Sequence, residues 1–555
     1  MMKCCKWLLL CLLMLCFAMS AAQAAGGVTL WVSGDGNQGV DAIEWYLNKN
    51  VYYLFLPGNV DRAGLRIGFS GTEQLKIGGE TVQKGDSASV LPDEKTVITD
   101  ARGKKYTLQV MQGSANLPAL YITTESGTLD KIHAKKTNKE AGSLIFVTPE
   151  GEKAYDGALT QIKMRGNSST TFKKKNYQIK LEDGANLMGM GKSRTWILTG
   201  NSRDKSLLRN QISLDMAMYA GLSYTPEHIS AEVYINNQYM GLYLFSEKVM
   251  IDDDRVAITD LEAMNENLNG NVEEAAMVGP KKATKGQFKA YQLAKEPEDI
   301  TGGYLIEFES YPSRFKEEAS AYHTTRAMTL VIKSPEYASV AQMEYISAFM
   351  QGFENAIFSK TGVDPDSGKH YAEFVDMQSL VNKYMIEEIS KNYDGNNSSM
   401  FFYKPADSQS PLAFAGPVWD YDSAYGSYAQ ERNKRVLEGD GFWINNASGK
   451  SYWWPALYKQ ADFKAAVKEQ YRLTFKPALE ILLGLREAPT NGLRSLDDYA
   501  KSIEASAAMN LVRWPALKNP STVAKTGHTF EMNIDYLRKF LQERYEFLNK
   551  EWAAE

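Results

Sequence analysis

The sequence predicts an α+β protein in which a small all-β sandwich precedes a β-rich lobe and then a helical lobe, a bilobal plan. Three observations support this order. Short alternating apolar runs separated by turn residues fill residues 27–115. Further alternating runs continue over about 116–260. Helical spacing of apolar residues then dominates from residue 338, within a second lobe predicted at about 301–555.

The first of these regions has strand-like runs such as "VYYLFLP", "LRIGFS", "KTVITD" and "YTLQVMQ". Turn segments such as "PGNVDRAG" and "IGGET" separate them. Short strands at this spacing predict an antiparallel sandwich of immunoglobulin type. No residue of the segment points to chemistry, so we expect an accessory or binding module.

The β-rich lobe is predicted as a sheet with one helix packed on it. The helix comes from "DKSLLRNQISLDMAMYAGL", with Asp204 as its N-cap and Gly221 at its end. The segment "INNQYMG" predicts a hairpin that turns at Asn236 and Asn237. Residues at about 263–300 are polar and weakly patterned, which indicates a surface insertion.

The first 24 residues have the layout of a secretory signal peptide. Lys3 and Lys6 precede an apolar run, and small residues around Ala24 offer a cleavage site. We therefore expect a secreted or cell-surface protein. No later segment has about 18 uninterrupted apolar residues, so we expect no transmembrane anchor after cleavage.

Composition excludes several classes of function. All four cysteines, Cys4, Cys5, Cys11 and Cys16, lie in the leader, so the mature chain has no disulfide, thiolate metal site or cysteine nucleophile. The formal charge is −5, and removing two leader lysines makes it −7, which argues against nucleic-acid binding. None of the five histidines is paired at ligand spacing, which argues against zinc or Ser-His-Asp chemistry. Carboxylates, lysine and arginine remain, and these suit magnesium, calcium and phosphate.

The segment "KMRGNSSTTFKKKNYQIKLED" combines a glycine-bearing loop with a lysine-bearing strand. The first strand is predicted to end at Met164, and Lys180 lies between Ile179 and Leu181 on the second. Such a loop and lysine can hold phosphate groups. The alternative is an ordinary hairpin in which lysines 173–175 form a solvated face.

The segment "KNYDGNNSSMFFYKP" places Asp394 between an amphipathic helix and an apolar strand. Asp394 could accept the proton of an attacking hydroxyl, and the amides after it could help to hold a metal. The alternative is a helix cap and turn, because Asp, Gly and Asn favour turns for local reasons.

The segment "GPVWDYDSAYG" carries Asp420 and Asp422 out of an apolar run that predicts a buried strand. Two close carboxylates repel one another unless a cation neutralises them or water solvates the turn. The pair follows Asp394 by 26 and 28 residues, which leaves room for two strands and a return to the same place. Phosphoryl transfer requires a phosphate-binding lysine, metal-binding carboxylates and a carboxylate near the acceptor hydroxyl.

Together these motifs resemble the spore coat protein H (CotH) family of secreted, atypical protein kinases. The resemblance covers roughly residues 118–550 and is carried by "KMRGNSST", "KKKNYQIKL", "WILTGNSRDKSLLRNQI", "AEVYINNQYMGLYLFSEKV", "GGYLIEFES" and "PVWDYDSAYG". It implies a protein-kinase-like bilobal domain over residues 116–555. It also implies use of ATP with Mg²⁺ or Mn²⁺ to phosphorylate serine or threonine of an exported or surface protein.

The resemblance also implies site residues. Lys180 resembles the phosphate-contacting lysine, Asp394 the catalytic-loop aspartate, and Asp420 with Asp422 the metal-binding pair. The further candidates are Arg165, Asn167, Ser168 and Trp419 for the nucleotide and Asn397 for the metal. Two positions depart from the kinase pattern. Ser399 stands where kinases often have asparagine, and the helix "LLRNQISLDMAMYAG" offers Lys180 no glutamate.

Two other classes of function remain open. The first is a catalytically inactive nucleotide-binding protein on the same fold. The second is a cell-surface or carbohydrate-binding protein, which the sandwich, 31 tyrosines and 10 tryptophans suggest. Phosphate transfer would distinguish a kinase from the first class, the inactive nucleotide-binding protein. Nucleotide binding would distinguish a kinase from the second class, the surface or carbohydrate-binding protein.

Overall fold

The computed structural model describes residues 28–34, 42–85, 95–446, 452–515, 527 and 529–553. The predicted signal peptide, residues 1–24, lies outside the described residues. The chain divides into two compact units. Within the described ranges, the first unit comprises the residues up to 200 together with 229–245 and 502–515, and the second comprises 201–228, the residues from 246 to 501 and those after 515.

The first unit begins with two β-sheets. A three-stranded sheet has the order β2-β1-β5, and a six-stranded sheet has the order β3-β4-β9-β8-β6-β7. Strands β4 and β9 run parallel, which the predicted antiparallel sandwich does not include. The strands are β1 (Thr29–Gly34), β2 (Ile43–Glu44), β3 (Tyr46–Asn48), β4 (Val51–Leu56), β5 (Leu65–Ser70), β6 (Gln74–Ile77), β7 (Glu80–Gln83), β8 (Lys95–Asp100) and β9 (Lys105–Gln112).

One apolar core joins these sheets to the rest of the first unit. Leu30 of the small sheet and Leu54 of the large sheet are buried in the same cluster as Tyr234 and Tyr239. The hydroxyl of Tyr234 also donates to the carbonyl oxygen of Phe55 (3.1 Å). The predicted accessory module therefore shares its core with the strands that follow.

The sheet predicted for the following region closes into a barrel, with the order β10-β11-β12-β13-β14-β16-β15. A parallel pairing of β10 with β15 completes it. Asn236 and Asn237 have φ values of 50° and 66°, which confirms the predicted turn of the hairpin. The elements are β10 (Ala119–Thr124), α1 (Asp130–Ala134), β11 (Lys139–Val147), β12 (Lys153–Arg165), β13 (Asn176–Asn186), β14 (Lys192–Thr199), β15 (His228–Ile235) and β16 (Gln238–Glu247).

The second unit contains a seven-stranded sheet with the order β17-β18-β20-β21-β19-β22-β23. The segment predicted as a surface insertion supplies β17 and β18 to this sheet. The strands are β17 (Met277–Val278), β18 (Gln287–Tyr291), β19 (Tyr304–Glu309), β20 (Ser320–His323), β21 (Thr329–Ser334), β22 (Met400–Lys404) and β23 (Phe414–Ala415).

Helices make up most of the remaining second unit, and the last part of α10, residues 502–513, belongs to the first. Ser339 begins α5 with a reciprocal capping box to Gln342. Asp376 caps α6 by accepting from the backbone of Ser379 (2.7 Å). The helices are α2 (Arg209–Tyr219), α3 (Leu261–Asn269), α4 (Pro312–Glu317), α5 (Val340–Phe358), α6 (Met377–Ser390), α7 (Trp453–Leu457), α8 (Ala461–Gln470), α9 (Lys476–Leu482), α10 (Leu496–Arg513) and α11 (Phe530–Leu548).

The mixed α+β class is therefore confirmed, with several β-sheets in the N-terminal region and a seven-stranded sheet in the second unit. The immunoglobulin-like type, the kinase-like bilobal arrangement and the domain boundaries remain predictions. In the part of the chain that the structure describes, no helix combines the length and apolar character needed to cross a membrane.

Candidate functional site

The loop that carries Asp394 lies between α6 and β22, as predicted. Lys391 ends α6 in the left-handed conformation (φ 44°), which turns the chain away from the helix axis. The carbonyl oxygen of Asp394 accepts from the backbone of Asn397 (2.7 Å) and Ser398 (3.0 Å). Its own N–H donates to Oδ1 of Asn392 (3.2 Å). The loop therefore forms a turn, and its hydrogen bonds fix the backbone of Asp394.

Asp420 and Asp422 lie in an irregular segment after β23, so the prediction that a strand carries them is wrong. Asp420 has a φ of 68°, an unusual conformation for a residue with a side chain. The amide between the two aspartates, that of Tyr421, donates to Oδ1 of Asn210 on α2 (2.6 Å). Tertiary contacts hold this segment where a strand ladder would otherwise do so.

The structure brings Asp394 and Asp422 into one electrostatic site. Burial raises the pKa of Asp394 to about 6, the Arg203 guanidinium opposes the rise, and the carboxylates of Asp422 and Glu387 add to it. Burial also raises the pKa of Asp422, which Arg203 again opposes. Both carboxyls are partly buried. Two motifs that are remote in sequence therefore influence each other directly.

Arg203 is a site residue that the sequence reasoning missed. Its guanidinium donates from Nη1 to Oγ of Ser423 (3.1 Å) and lies over the Tyr428 ring at 4.4 Å. It belongs to the "GNSRDKS" stretch of the resemblance, so the motif was visible although its role was not. Lys205 belongs to the same stretch, and burial lowers the pKa of its ammonium group.

A buried ion pair braces this stretch against the aspartate segment. Asp204 pairs with Arg209, and its Oδ2 accepts from the backbone N–H of Arg209 (2.8 Å). Arg209 in turn donates from Nη2 to the carbonyl oxygen of Tyr425 (3.2 Å). Asp204 is not the N-cap of α2, so that prediction is wrong. Leu208 occupies the cap position, and Asp204 reaches the first helical amide from farther upstream.

The two asparagines after Asp394 differ in their surroundings. Oδ1 of Asn397, the predicted metal ligand, accepts from the hydroxyls of Ser310 (3.3 Å) and Tyr452 (3.4 Å). Oδ1 of Asn396 is buried and accepts from no donor in the described ranges, while its Nδ2 donates to the carbonyl oxygen of Ile444 (3.1 Å). Asn396 therefore has the less occupied amide oxygen.

Trp419, the residue predicted near the nucleotide base, is partly buried directly before Asp420. It packs against an apolar cluster that includes Val249, Ile251 and Tyr403. Its position beside the aspartate pair follows from the chain itself. Its contact with a base remains a prediction.

The other predicted nucleotide-binding residues lie in the first unit. Lys180 is exposed and points away from the barrel interior, where Ile179 and Leu181 are buried. Its strand neighbours are Gln161 and Thr195. The predicted alternation of this strand is confirmed, and the phosphate contact of Lys180 remains a prediction.

The predicted phosphate loop is a tight turn at the end of β12, whose last residue is Arg165, one residue after the predicted strand end. Gly166 has a φ of 104°, and a Cβ there would lie 1.9 Å from Oγ of Ser169, so the turn requires glycine. Asn167 and Ser168 are exposed, and Asn167 accepts from Nζ of Lys136 (2.8 Å).

One lysine of the predicted solvated face is buried instead. Nζ of Lys174 donates to the carbonyl oxygen of Leu242 (2.5 Å) and to Oδ1 of Asn510 (2.7 Å). It also lies 4.5 Å from the centre of the Tyr243 ring. Lys173, next to it, is exposed. The interpretation of a solvated face is therefore wrong for Lys174, because contacts with residues distant in sequence bury its ammonium group.

The donor set near Asp394 suits a metal that is shared with a substrate. Among the described residues, no group of three or more His, Cys, Asp and Glu side chains could hold a metal ion. The carboxylates of Asp394 and Asp422 and the buried amide oxygen of Asn396 remain. Mg²⁺ is commonly held by one or two carboxylates together with waters and phosphate oxygens, so these residues fit such an ion.

Comparison with known proteins gives the family. A family model described as "CotH kinase protein" matches residues 162–548, which is more than half of the chain. The chain belongs to the CotH kinase family. No curated protein sequence matches it. Membership of the CotH kinase family indicates a kinase-like protein, and the matched range includes every predicted site residue from Arg165 to Asp422.

Proposed function

We propose that this CotH kinase family member is a secreted protein kinase. It would use ATP and Mg²⁺ or Mn²⁺ to phosphorylate serine or threonine of an exported or surface protein. The observation that carries the proposal is the shared electrostatic site of Asp394 and Asp422. The secretory part rests on the leader pattern of residues 1–24.

Asp394 acts as the proton acceptor for the attacking hydroxyl in this proposal. With a pKa of about 6, its carboxyl is mostly ionised at neutral pH, yet it is a stronger base than an ordinary aspartate. As the hydroxyl oxygen bonds to the γ-phosphorus, its proton passes to Asp394, and the bond to the β-phosphate oxygen breaks. ADP leaves with the electron pair of that bond.

Asp420 and Asp422 would hold the divalent cation, and the amide oxygen of Asn396 or Asn397 would be the third protein ligand. A bound cation would supply positive charge beside the phosphates and would offset the negative charge of these carboxylates. Because Oδ1 of Asn397 already accepts hydrogen bonds, Asn396 is the favoured third ligand. Asn396→Ala should therefore weaken Mn²⁺ binding, measured by electron paramagnetic resonance, more than Asn397→Ala does. The reverse order would return the role to Asn397.

Positive charge for the phosphates has two candidate sources. Arg203 and Lys205 lie in the stretch that neighbours the aspartates in the second unit. Lys180, with Arg165, Asn167 and Ser168, lies in the first unit. Calorimetric titration of Lys180→Met and Lys205→Met with ATP and with adenosine separates them. Replacing a phosphate-binding lysine should weaken the binding of ATP but not that of adenosine. Replacing a surface lysine should weaken the binding of neither ligand.

Incubation of the mature protein with γ-labelled ATP, Mg²⁺ or Mn²⁺ and a generic Ser/Thr-containing acceptor protein tests the proposal. We expect acid-stable label on serine or threonine of the acceptor, and loss of about 10²–10⁴-fold in rate for Asp394→Asn. Nucleotide binding without transfer would identify an inactive nucleotide-binding protein. Absence of nucleotide binding would leave the carbohydrate- or surface-binding alternative.

A further inference from the structure

Glu387, near the end of α6, lies between the two arms of the site. Its carboxylate is buried, and both oxygens are engaged. Oε1 accepts from the hydroxyl of Tyr421 (2.7 Å) and pairs with Nζ of Lys383 (2.8 Å). Oε2 accepts from Nδ2 of Asn392 (2.9 Å). One carboxylate therefore receives donors from its own helix and from both loops of the site.

The first arm reaches the aspartate pair. Tyr421 is the residue between Asp420 and Asp422, and its side chain is fully buried. Its backbone N–H is held by Asn210, and its hydroxyl is held by Glu387. The residue between the two carboxylates is thus fixed at both its backbone and its side chain.

The second arm reaches Asp394. Oδ1 of Asn392 accepts from the backbone N–H of Asp394, while Nδ2 of the same amide donates to Glu387. The next residue is Gly395, where a Cβ would lie 2.7 Å from Oε2 of Glu387. The loop therefore rests directly on the carboxylate, and no larger residue fits at position 395 without displacing it.

We infer that Glu387 is a positioning residue that sets the Asp394 loop and the Asp420–Asp422 segment in one geometry. This inference rests on the proposed kinase function. Phosphoryl transfer depends on the relative placement of the base and the metal-binding groups, and an error of about 1 Å can cost about 10²-fold in rate. A single carboxylate that bonds to both loops makes their displacements dependent on each other.

Glu387→Gln tests the inference, because an amide cannot satisfy both arms. One oxygen of glutamine can still accept from Tyr421, but its NH₂ group then faces the NH₂ group of Asn392, and two donors cannot bond. We expect kcat to fall by about 10²-fold with a smaller change in KM for ATP. Adding Asn392→Asp restores a donor–acceptor pair, because one carboxylate oxygen at position 392 accepts from the amide NH₂ group at position 387. The other oxygen still accepts from the backbone N–H of Asp394. The double variant should recover most of the lost kcat.

Glu354→Gln is the matched control. Glu354 on α5 is equally buried, and its oxygens accept from Thr324 (2.8 Å), Trp453 (3.0 Å) and Gln351 (3.1 Å). This substitution removes a comparably buried carboxylate, and Glu354 bonds to neither loop of the site. It should lower the melting temperature while leaving kcat per folded molecule within about twofold of the wild type.

Hydrogen exchange separates failure of this inference from failure of the proposed function. Glu387→Gln should speed exchange at the amides of both Asp394 and Tyr421, and the added Asn392→Asp should reverse this. If these amides respond as expected but the wild type transfers no phosphate, the positioning role stands and the kinase proposal fails. Unchanged exchange at either amide, or no recovery in the double variant, would overturn the inference.

Two single-arm variants keep the test decisive if Glu387→Gln does not fold. Tyr421→Phe removes the hydroxyl that bonds to Glu387 and accepts from Lys383 (3.4 Å), and Asn392→Ala removes the arm to Asp394. We expect each to lower kcat and to speed exchange in its own loop. Normal kcat in both variants would show that the Glu387 bonds do not position the site.

Discussion

Glu232 in the barrel should make the stability of the first unit depend on pH. The side chain lies on β15 and is fully buried. Burial raises its pKa from 4.5 to about 7, and the hydroxyls of Ser506 and Tyr239 and the ammonium of Lys174 oppose this rise only in part. Because the folded pKa exceeds the unfolded one, the folded state holds this proton more tightly. Its contribution to stability is complete below pH 4.5 and is lost as the pH rises through 7.

The size of the effect follows from the two pKa values. With 4.5 unfolded and about 7 folded, linkage gives a loss of about 2.5 kcal/mol between pH 5 and pH 8, or roughly 70-fold in the unfolding equilibrium. Glu232→Gln removes the titrating group. From pH 5 to pH 8, the unfolding free energy of the variant relative to that of the wild type should therefore rise by this amount.

Hydrogen exchange at the β15 amides of Val233 and Ile235 measures this difference locally. Wild type and variant are compared at the same pH, so intrinsic exchange rates cancel. Glu140→Gln is the control, because Glu140 is also a buried barrel glutamate, bonded to Ser126 (2.9 Å). A variant-to-wild-type ratio that stays constant across this pH range, or that changes in the opposite direction, would refute the raised pKa of Glu232.

Three further predictions concern Asp394, Arg203 and Lys174. The kcat/KM profile should have an acid limb near pH 6, because protonation of Asp394 removes the base; a flat profile down to pH 5 would contradict this. Arg203→Met should move that limb to higher pH by roughly one unit, since the guanidinium opposes the raised pKa of Asp394; an unmoved limb would exclude this influence. Lys174→Met should cost about 1–3 kcal/mol in urea unfolding, because the carbonyl oxygen of Leu242 loses the ammonium donor and Oδ1 of Asn510 keeps only the N–H of Leu242. The exposed Lys173→Met should cost less than about 0.5 kcal/mol, and equal losses would refute the distinction.

Features fixed by a few neighbouring residues were predictable. The Asn236–Asn237 turn, the end of α6 before Asp394 and the alternation of Ile179, Lys180 and Leu181 all follow from local conformational preference or from a period of two. Family membership was also predictable, because several motifs occur in order along the chain. The candidate aspartates could be named from sequence because carboxylates in an apolar run demand neutralisation.

Features that depend on contacts between distant residues were not predictable. Closure of the barrel needs β10 to pair with β15, and no local pattern specifies that pairing. The buried state of Lys174 depends on Asn510, 336 positions away, so composition alone suggested a solvated lysine. A periodic pattern tells which face of a strand is apolar, but it does not tell which partner covers it.

For this chain, sequence alone determined the mixed α+β class, the family motifs and the identity of the paired carboxylates. Tertiary structure alone decided how the segment that carries them is held. Tyr421 is fixed by Asn210, 211 positions away, and by Glu387, 34 positions away, and Arg203 reaches Ser423 across 220 positions. Such bonds form only after folding brings the segments together, because each depends on the position of a donor and an acceptor that no local conformational preference specifies.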